Sequence, residues 1–255
     1  MNQEYDFAEM TKDLFSLLRL RITPIGIKAL EKEADIDKIP RCRRAKAKHT
    51  ACQFLGQAMN LGYTIAMVSG DNPIAMCEGL HGLRPQDDEW KSGQSAVGVW
   101  YATPADGKAH LDTYPYIPHG KYEAIVASPL NSGKLEKPDV CMVVGLPGQI
   151  FILLAGFLRH DYKPLDTPII GESSCSQHWI RTLMTGKPNV SLPCFAEMRF
   201  AQYPDDCVIF TCTPKDLKKA IDGTRELNKI GLRYPIPGYG VMADAQMGHD
   251  ASYKK

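Results

Sequence analysis

Four of the chain's eight cysteines fall between Thr167 and Pro214, in the stretch TPIIGESSCSQHWIRTLMTGKPNVSLPCFAEMRFAQYPDDCVIFTCTP. Two of them, Cys175 and Cys194, stand where the chain changes direction rather than inside an apolar run. Cys175 follows Gly171-Glu172-Ser173-Ser174, in the first turn of a helix expected to run through Met184. There the unsatisfied N–H groups and the helix dipole favour an anionic sulfur, which is either a nucleophile or a metal ligand. His178 lies three residues on, on the same side of that helix, and is a candidate base or hydrogen-bond partner; an exposed helical histidine is the plainer alternative. Cys194 sits between Pro193 and Phe195, after the turn Gly186-Lys187-Pro188-Asn189. Arg199 carries the planar fork that binds a carboxylate bidentately, or that pairs on the surface with Glu197 or Asp205. Upstream, Cys52 lies in an expected helix, and Cys77 opens the segment Cys77-Glu-Gly-Leu-His-Gly-Leu83, where two glycines bracket His81. That bracketing implies backbone packed close to something, or a tight turn. Cys42, Cys141, Cys207 and Cys212 read as structural, since a free cysteine among Val, Ile and Phe behaves as a small hydrophobe.

Several familiar chemistries find no motif: there is no P-loop, no GxSxG elbow, no HExxH and no CxxC. The run Gly238-x-Gly240-x-x-Ala243 has too little chain after it to build a dinucleotide-binding unit. A net charge of +1 with 23% charged residues gives no electrostatic reason to expect nucleic acid or an anionic membrane as partner. The local basic run from Arg41 to His49 has no interleaved aromatics for base stacking and reads as a solvated helix face. The N-terminal MNQEYDFAEM is acidic and polar, without a secretory pattern, so a cytoplasmic protein whose cysteines are thiols or ligands is expected. Val140 to Leu158 is uncharged and long enough to span a bilayer, but Leu146-Pro147-Gly148-Gln149 breaks it into a buried strand and a buried helix.

The elements that must position these residues point to an α/β fold: one mixed sheet flanked by helices. Phe7, Met10, Leu14, Leu17 and Leu18 recur at helical spacing, predicting a helix over 6–21, followed by a strand over 24–30. A charged connection over 31–40, a helix over 41–61 stopped by Gly62, and a strand over 63–68 are expected next. Residues 82–95 read as an exposed loop, 96–101 as a strand, and 103–121 as a long excursion of the kind that forms a lid or subunit contact. A strand is expected over 122–127, and Ile169-Ile170 as a strand leading to Cys175. Asp139 to Pro147 and Asp206 to Pro214 share the order Asp, apolar run, Pro, helix, which suggests an internal strand-Pro-helix duplication. The second of these helices has Thr213 as N-cap, Pro214 at its first position and Gly231 after its end. The domain is then 1–232, with 233–255 an extended tail or oligomerisation arm.

The order Pro24-Ile-Gly-Ile-Lys28, Cys77-Glu-Gly-Leu-His-Gly-Leu83, Ser128-Pro129-Leu130, Pro138-Asp139-Val140, Ser174-Cys175, Pro193-Cys194 and Arg199 resembles the prokaryotic domain-of-unknown-function family labelled ArCR, the archaeal conserved region. The resemblance covers nearly the whole chain and implies that Cys52, Cys77, Cys175 and Cys194 are the cysteines at motif positions. Four such cysteines suggest a [4Fe–4S] cluster assembled across the fold, since their spacings match no ferredoxin pattern. Zinc is the nearest rival, held by four thiolates, or by three with His81 or His178. The leading expectation is an iron–sulfur enzyme of anaerobic metabolism that reduces or dehydrates a small carboxylate or aromatic compound. In it Arg199 holds the substrate, His178 or His81 moves protons, and a protein electron donor serves any reduction. The alternatives are a metal-free thiol enzyme with Cys175 as nucleophile, and a non-catalytic binding or assembly protein. A homo-oligomer is expected in either case.

Overall fold

The computed structural model describes residues 5–238. It opens with helix α1 (Phe7–Leu18), capped by Asp6, which accepts the Glu9 N–H, and buries Phe7, Met10, Leu14 and Leu18. Strand β1 (Ile25–Leu30) follows, then a short 3-10 turn (Glu33–Lys38), β2 (Arg43–Arg44), α2 (Ala51–Leu61) and β3 (Ile65–Val68). Helices α3 (Ala75–Leu80), α4 (Asp88–Ser92) and α5 (Pro104–Leu111) precede β4 (Ala124–Pro129), β5 (Val140–Gly145) and α6 (Pro147–Leu158). A π-helical turn (Ser176–Ile180) runs into α7 (Arg181–Thr185), followed by β6 (Asn189–Ser191), α8 (Phe195–Ala201), β7 (Val208–Cys212) and α9 (Pro214–Lys229).

Among the described residues the strands form one sheet in the order β2-β3-β4-β1-β5-β7-β6. Only β2 and β3 run parallel; every other pair is antiparallel, so the expected mixed α/β sheet is the fold. The central strands are buried on both faces, which is why β5 reads as unbroken Val-Cys-Met-Val-Val. Alternation along it sorts the two cores. Val140, Met142 and Val144 face one layer with α2 and the 175–180 turn, while Cys141 and Val143 face the other with α1, α6 and α9. No helix among the described residues is long and apolar enough to cross a membrane, and Val140 to Leu158 is the strand and helix that Pro147 separates.

The two strand-Pro-helix units lie side by side, with β5 antiparallel to β7 and α6 packed on α9. Their helices cross at Gly156 and Gly223, where a Cβ on Gly223 would stand 2.0 Å from the Gly156 carbonyl oxygen. Only paired glycines permit that approach.

Some expectations need correction. The helix expected from Arg41 starts at Ala51, because the first capping box is Thr50 with Gln53, and Arg43-Arg44 instead pairs with β3 as an edge strand. Residues 96–101 are not a strand. Gly98 takes a left-handed φ of 80°, closing a loop between Val97 and Tyr101 and leaving Val99 75% exposed. Ile169-Ile170 pairs with no strand; the Ile170 carbonyl instead accepts from His110 Nε2 at 2.9 Å. The loop over 82–95 contains α4, and the excursion over 103–121 contains α5, capped by Thr103 and Asp106. That excursion packs inward through Leu111, Tyr114 and Ile117, all buried. Of the expected tail, residues 239–255 lie outside the described residues.

The α6–α9 crossing generates a direct test. Gly223→Ala should cost about 3 kcal/mol of stability through overpacking in urea unfolding. Gly148→Ala, where the added Cβ meets nothing nearer than 3.4 Å, should stay within about 1 kcal/mol of wild type.

Candidate functional site

The layer that holds α2, α3, the 175–180 turn and α8 brings Cys52, Cys77, Cys175 and Cys194 together. Each stands at the first turn of its helix: Cys52 second in α2, Cys77 third in α3, Cys175 just after Ser174, and Cys194 as the N-cap of α8. Cys52, Cys175 and Cys194 are each no more than 5% exposed, and Cys77 is partly buried. The Cys52 and Cys194 thiols interact directly, and Cys175 lies within electrostatic reach of Cys52, Cys77 and Cys194. Of the remaining cysteines, Cys207 lies in the same core as this group, within electrostatic reach of Glu197 and Tyr203, and the other three lie elsewhere. Cys141 and Cys212 face each other across β5 and β7 on the opposite core, and Cys42 packs at the edge near Ile39.

Local geometry explains how a loop delivers Cys175. Gly171 and Ser173 both take left-handed φ values, 80° and 48°, the second uncommon for a residue with a side chain. Ser173 then anchors the turn: its carbonyl accepts the Ser176 N–H at 2.9 Å and the Cys175 thiol at 3.7 Å. The π-helical turn that follows carries one extra residue per turn, turning His178 and Trp179 fully inward. On the other wall, Gly56 lets α2 lie against α8, since a Cβ there would sit 3.0 Å from the backbone of Ala201. This close approach sets the Cys52 and Cys194 helices side by side.

Two buried carboxylates flank the thiols. Glu197 accepts the Cys194 backbone N–H at 2.9 Å and His178 Nε2 at 2.7 Å, and neither Glu197 nor His178 has measurable exposure. Glu172 accepts Tyr101 OH at 2.8 Å, Tyr114 OH at 2.7 Å and Ser173 Oγ at 2.7 Å. Burial beside Glu172 pushes both tyrosine hydroxyls well above their usual range, so they remain proton donors to it. Tyr101 is partly exposed and Tyr114 buried, so the carboxylate is linked towards the surface through a phenol. The sequence offered no periodicity or motif marking Glu172, Glu197, Tyr101 or Tyr114; a charged residue beside a glycine and serines reads as a turn.

The histidines are anchored at one nitrogen and bare at the other. His81 is fully buried, and its Nδ1–H donates to the Cys77 carbonyl, which leaves Nε2 as a lone pair without a partner. Burial pushes His81 down to about 4, so it is neutral at ordinary pH. His178 is held at Nε2 by Glu197 and is unpartnered at Nδ1. Trp179 Nε1 and Tyr203 OH are also buried without partners; the Trp179 ring lies 5.3 Å from His81, and Tyr203 is within electrostatic reach of Cys52, Cys194 and Glu197. Buried polar atoms are almost always satisfied, so these four atoms are open to a further partner. Arg199 is not among them. It lies on the exposed side of α8, between the rings of Phe195 and Phe200 at 5.8 Å from each, and pairs with neither Glu197 nor Asp205.

The surroundings of Cys175 disfavour the expected anionic sulfur. Burial, then the charges of Cys77, Glu197, Cys194 and Glu172, push this thiol well above its ordinary value. Cys77 is pushed up to about 12, again by burial first. Cys52 is raised by its bond with Cys194 and then by burial. The charges acting most strongly on these thiols are anionic, the reverse of the cationic setting that activates a nucleophilic cysteine. Among the described residues no three His, Cys, Asp or Glu side chains converge on a single-ion site.

The fold and this region define a class: an α/β protein with four cysteines gathered on one face of its sheet. The chain belongs to the domain-of-unknown-function family described as Uncharacterised ArCR, whose profile matches residues 13–223 and so contains all four cysteines. No curated protein and no solved structure matches it.

The raised thiols have a measurable consequence. In folded metal-free protein at pH 8, iodoacetamide should label Cys77 and Cys175 over hours and label both within minutes in urea, because a thiol near 12 is ionised to only about one part in ten thousand. Rapid stoichiometric labelling of Cys175 in folded protein at neutral pH would instead mark an activated nucleophile.

Proposed function

We propose that Cys52, Cys77, Cys175 and Cys194 hold a [4Fe–4S] cluster, and that the protein is a cluster-dependent enzyme reducing or dehydrating a small carboxylate or aromatic compound. The observation that carries this reading is the gathering of four thiols from four separate helices, with no lysine or arginine among the groups acting most strongly on them. Thiols in such a setting give up their protons when a cation takes their place, so binding and deprotonation are one event. The unpartnered Trp179 Nε1 and Tyr203 OH donors fit the same reading, because hydrogen bonds donated to cluster and ligand sulfurs tune such centres.

Zinc comes second. It would need thiolates about 2.3 Å from one shared point, and no such convergence occurs among the described residues.

When bound, the cluster would supply electron transfer, or a Lewis-acidic iron if one corner were left to substrate. The chain's own residues supply the rest. Glu172 would hold or return a proton through Tyr101 and Tyr114, and His178, oriented by Glu197, would present Nδ1. Neutral His81 would accept a hydrogen bond at Nε2 rather than act as an acid. Arg199, beside Phe195 and Phe200, would meet the substrate at the outer face of the helix that begins at Cys194. A reduction would also need a protein electron donor.

Iron and acid-labile sulfide analysis of anaerobically purified protein tests the reading. It predicts about four of each per chain and a broad visible absorption that bleaches with dithionite. A colourless protein that stays free of iron after anaerobic reconstitution would sink it.

A further inference from the structure

We propose that the groove between α2 and α8, with the basic strap that runs into α2, is the docking site for an acidic protein that carries electrons to the four-cysteine region. The partner's role rests on the cluster reading above; its charge does not. Residues 38–70 hold Lys38, Arg41, Arg43, Arg44, Lys46 and Lys48 and no Asp or Glu. The whole chain has a net charge of +1, so the remainder carries −5 and the basic charge is concentrated in this one segment.

The segment is not the solvated helix face that its sequence suggests. Arg43 and Arg44 form the edge strand β2, and residues 45–50 pass to α2 as an irregular strap, with the His49 N–H donated to the Asp71 carbonyl. Glu33 and Asp71 both pair with Arg44. Arg41, Arg43, Lys46 and Lys48 are exposed, and none of them has an ion pair among the described residues. Such a run of unneutralised cations selects an anionic partner.

The strap meets the groove at His49, which lines it together with the uncharged Gln53, Gln57, Asn60 and Gln202. The groove has a volume of about 300 Å³ and no carboxylate in its lining, and its Leu61 and Phe200 are 58% and 41% exposed. A charged flank beside a neutral, partly apolar centre is the anatomy of a protein interface. Nucleic acid and membrane fit this surface less well. The Arg43 guanidinium lies over the Tyr63 ring at 3.9 Å, and the residues between the charges, Cys42, Ala45 and Ala47, offer neither base stacking nor insertion into lipid.

The floor of the groove is the place where Gly56 meets Ala201, the crossing of the helices that start at Cys52 and Cys194. A partner seated there is one helical turn along α2 from Cys52. One electron would pass from the reduced carrier to the cluster: the carrier is oxidised by one electron, the cluster is reduced by one, and no covalent bond changes.

Calorimetric titration of the full chain with an acidic [2Fe–2S] ferredoxin tests the docking surface, in metal-free and in reconstituted protein, with a uridine oligonucleotide and phosphatidylserine vesicles as rival probes. Saturable ferredoxin binding in the micromolar range is expected at low salt, weakening as salt rises. The double variant Lys46→Glu, Lys48→Glu should weaken it by about tenfold or more. The charge-matched double variant Lys12→Glu, Lys215→Glu, at exposed positions on α1 and α9 across the sheet, should change it by less than about twofold. In reconstituted protein the first double variant should also slow the oxidation of dithionite-reduced ferredoxin by about tenfold. Absence of saturable ferredoxin binding, equal weakening in the two double variants, or tighter binding of the oligonucleotide or the vesicles would each overturn the proposal. Iron content decides the cluster reading separately, whereas the metal-free titration reports on docking alone.

Discussion

The interaction on which the rest of this molecule turns is the mutual repulsion that four thiols and two carboxylates would feel if ionised together in a buried place. Cys77 and Cys175 are raised first by burial and then by neighbouring acidic groups, and Cys52 first by its bond with Cys194 and then by burial. The protein nonetheless keeps Glu172 and Glu197 beside them, both buried and both committed to hydrogen bonds. Such an arrangement is costly as empty core, because an isolated buried charge loses its hydration and an orphaned polar atom loses its partner. A metal centre held by these thiols would displace their protons, because a ligating thiol must be deprotonated to bind. The bare nitrogens of His81 and His178 and the free Trp179 and Tyr203 donors belong to the same balance.

The two faces of the sheet divide the work. On one, α1, α6 and α9 pack an apolar core that includes Cys141 and Cys212 and whose tightest crossing is set by Gly156 and Gly223. On the other, shorter helices and loops carry the four cysteines, with the excursion holding α5 folded in to place Tyr114 on Glu172. Rigid strands thus support a face built from short elements, as binding sites generally are.

Much of the frame was legible in the sequence because it rests on local signals. The α9 helix shows Thr213, Pro214 and Asp216 where a cap, a first turn and a dipole partner belong, and the structure has that cap. β1, β3, β4, β5 and β7 showed as apolar runs, and Pro147 separated β5 from α6. The failures came where tertiary context decided. Val97, Val99 and Tyr101 alternate like a strand, yet Gly98 turns the chain, and among the described residues no strand pairs with it. β6 was too short to show a period. At the site, Cys175 and Cys194 were visible from their turns, while the grouping of Cys52 and Cys77 with them came from a family resemblance. Glu172 and Glu197 were invisible because their partners are remote in sequence, as Tyr101 is from Glu172, or lie beyond one helical turn, as His178 does from Glu197.

The central claim is that four cysteines from distant parts of the chain act as one centre, and cysteine-by-cysteine reconstitution tests it most directly. Wild type and the Cys52→Ser, Cys77→Ser, Cys175→Ser, Cys194→Ser and Cys212→Ser variants would be reconstituted anaerobically with iron and sulfide, and bound iron measured after desalting. Each of the first four substitutions should lower iron retention and alter the visible and electron paramagnetic resonance spectra, whereas Cys212→Ser should match wild type, which binds about four irons per chain. Iron retention that is unchanged in folded Cys52→Ser or Cys77→Ser protein, or lost equally in Cys212→Ser, would contradict the account.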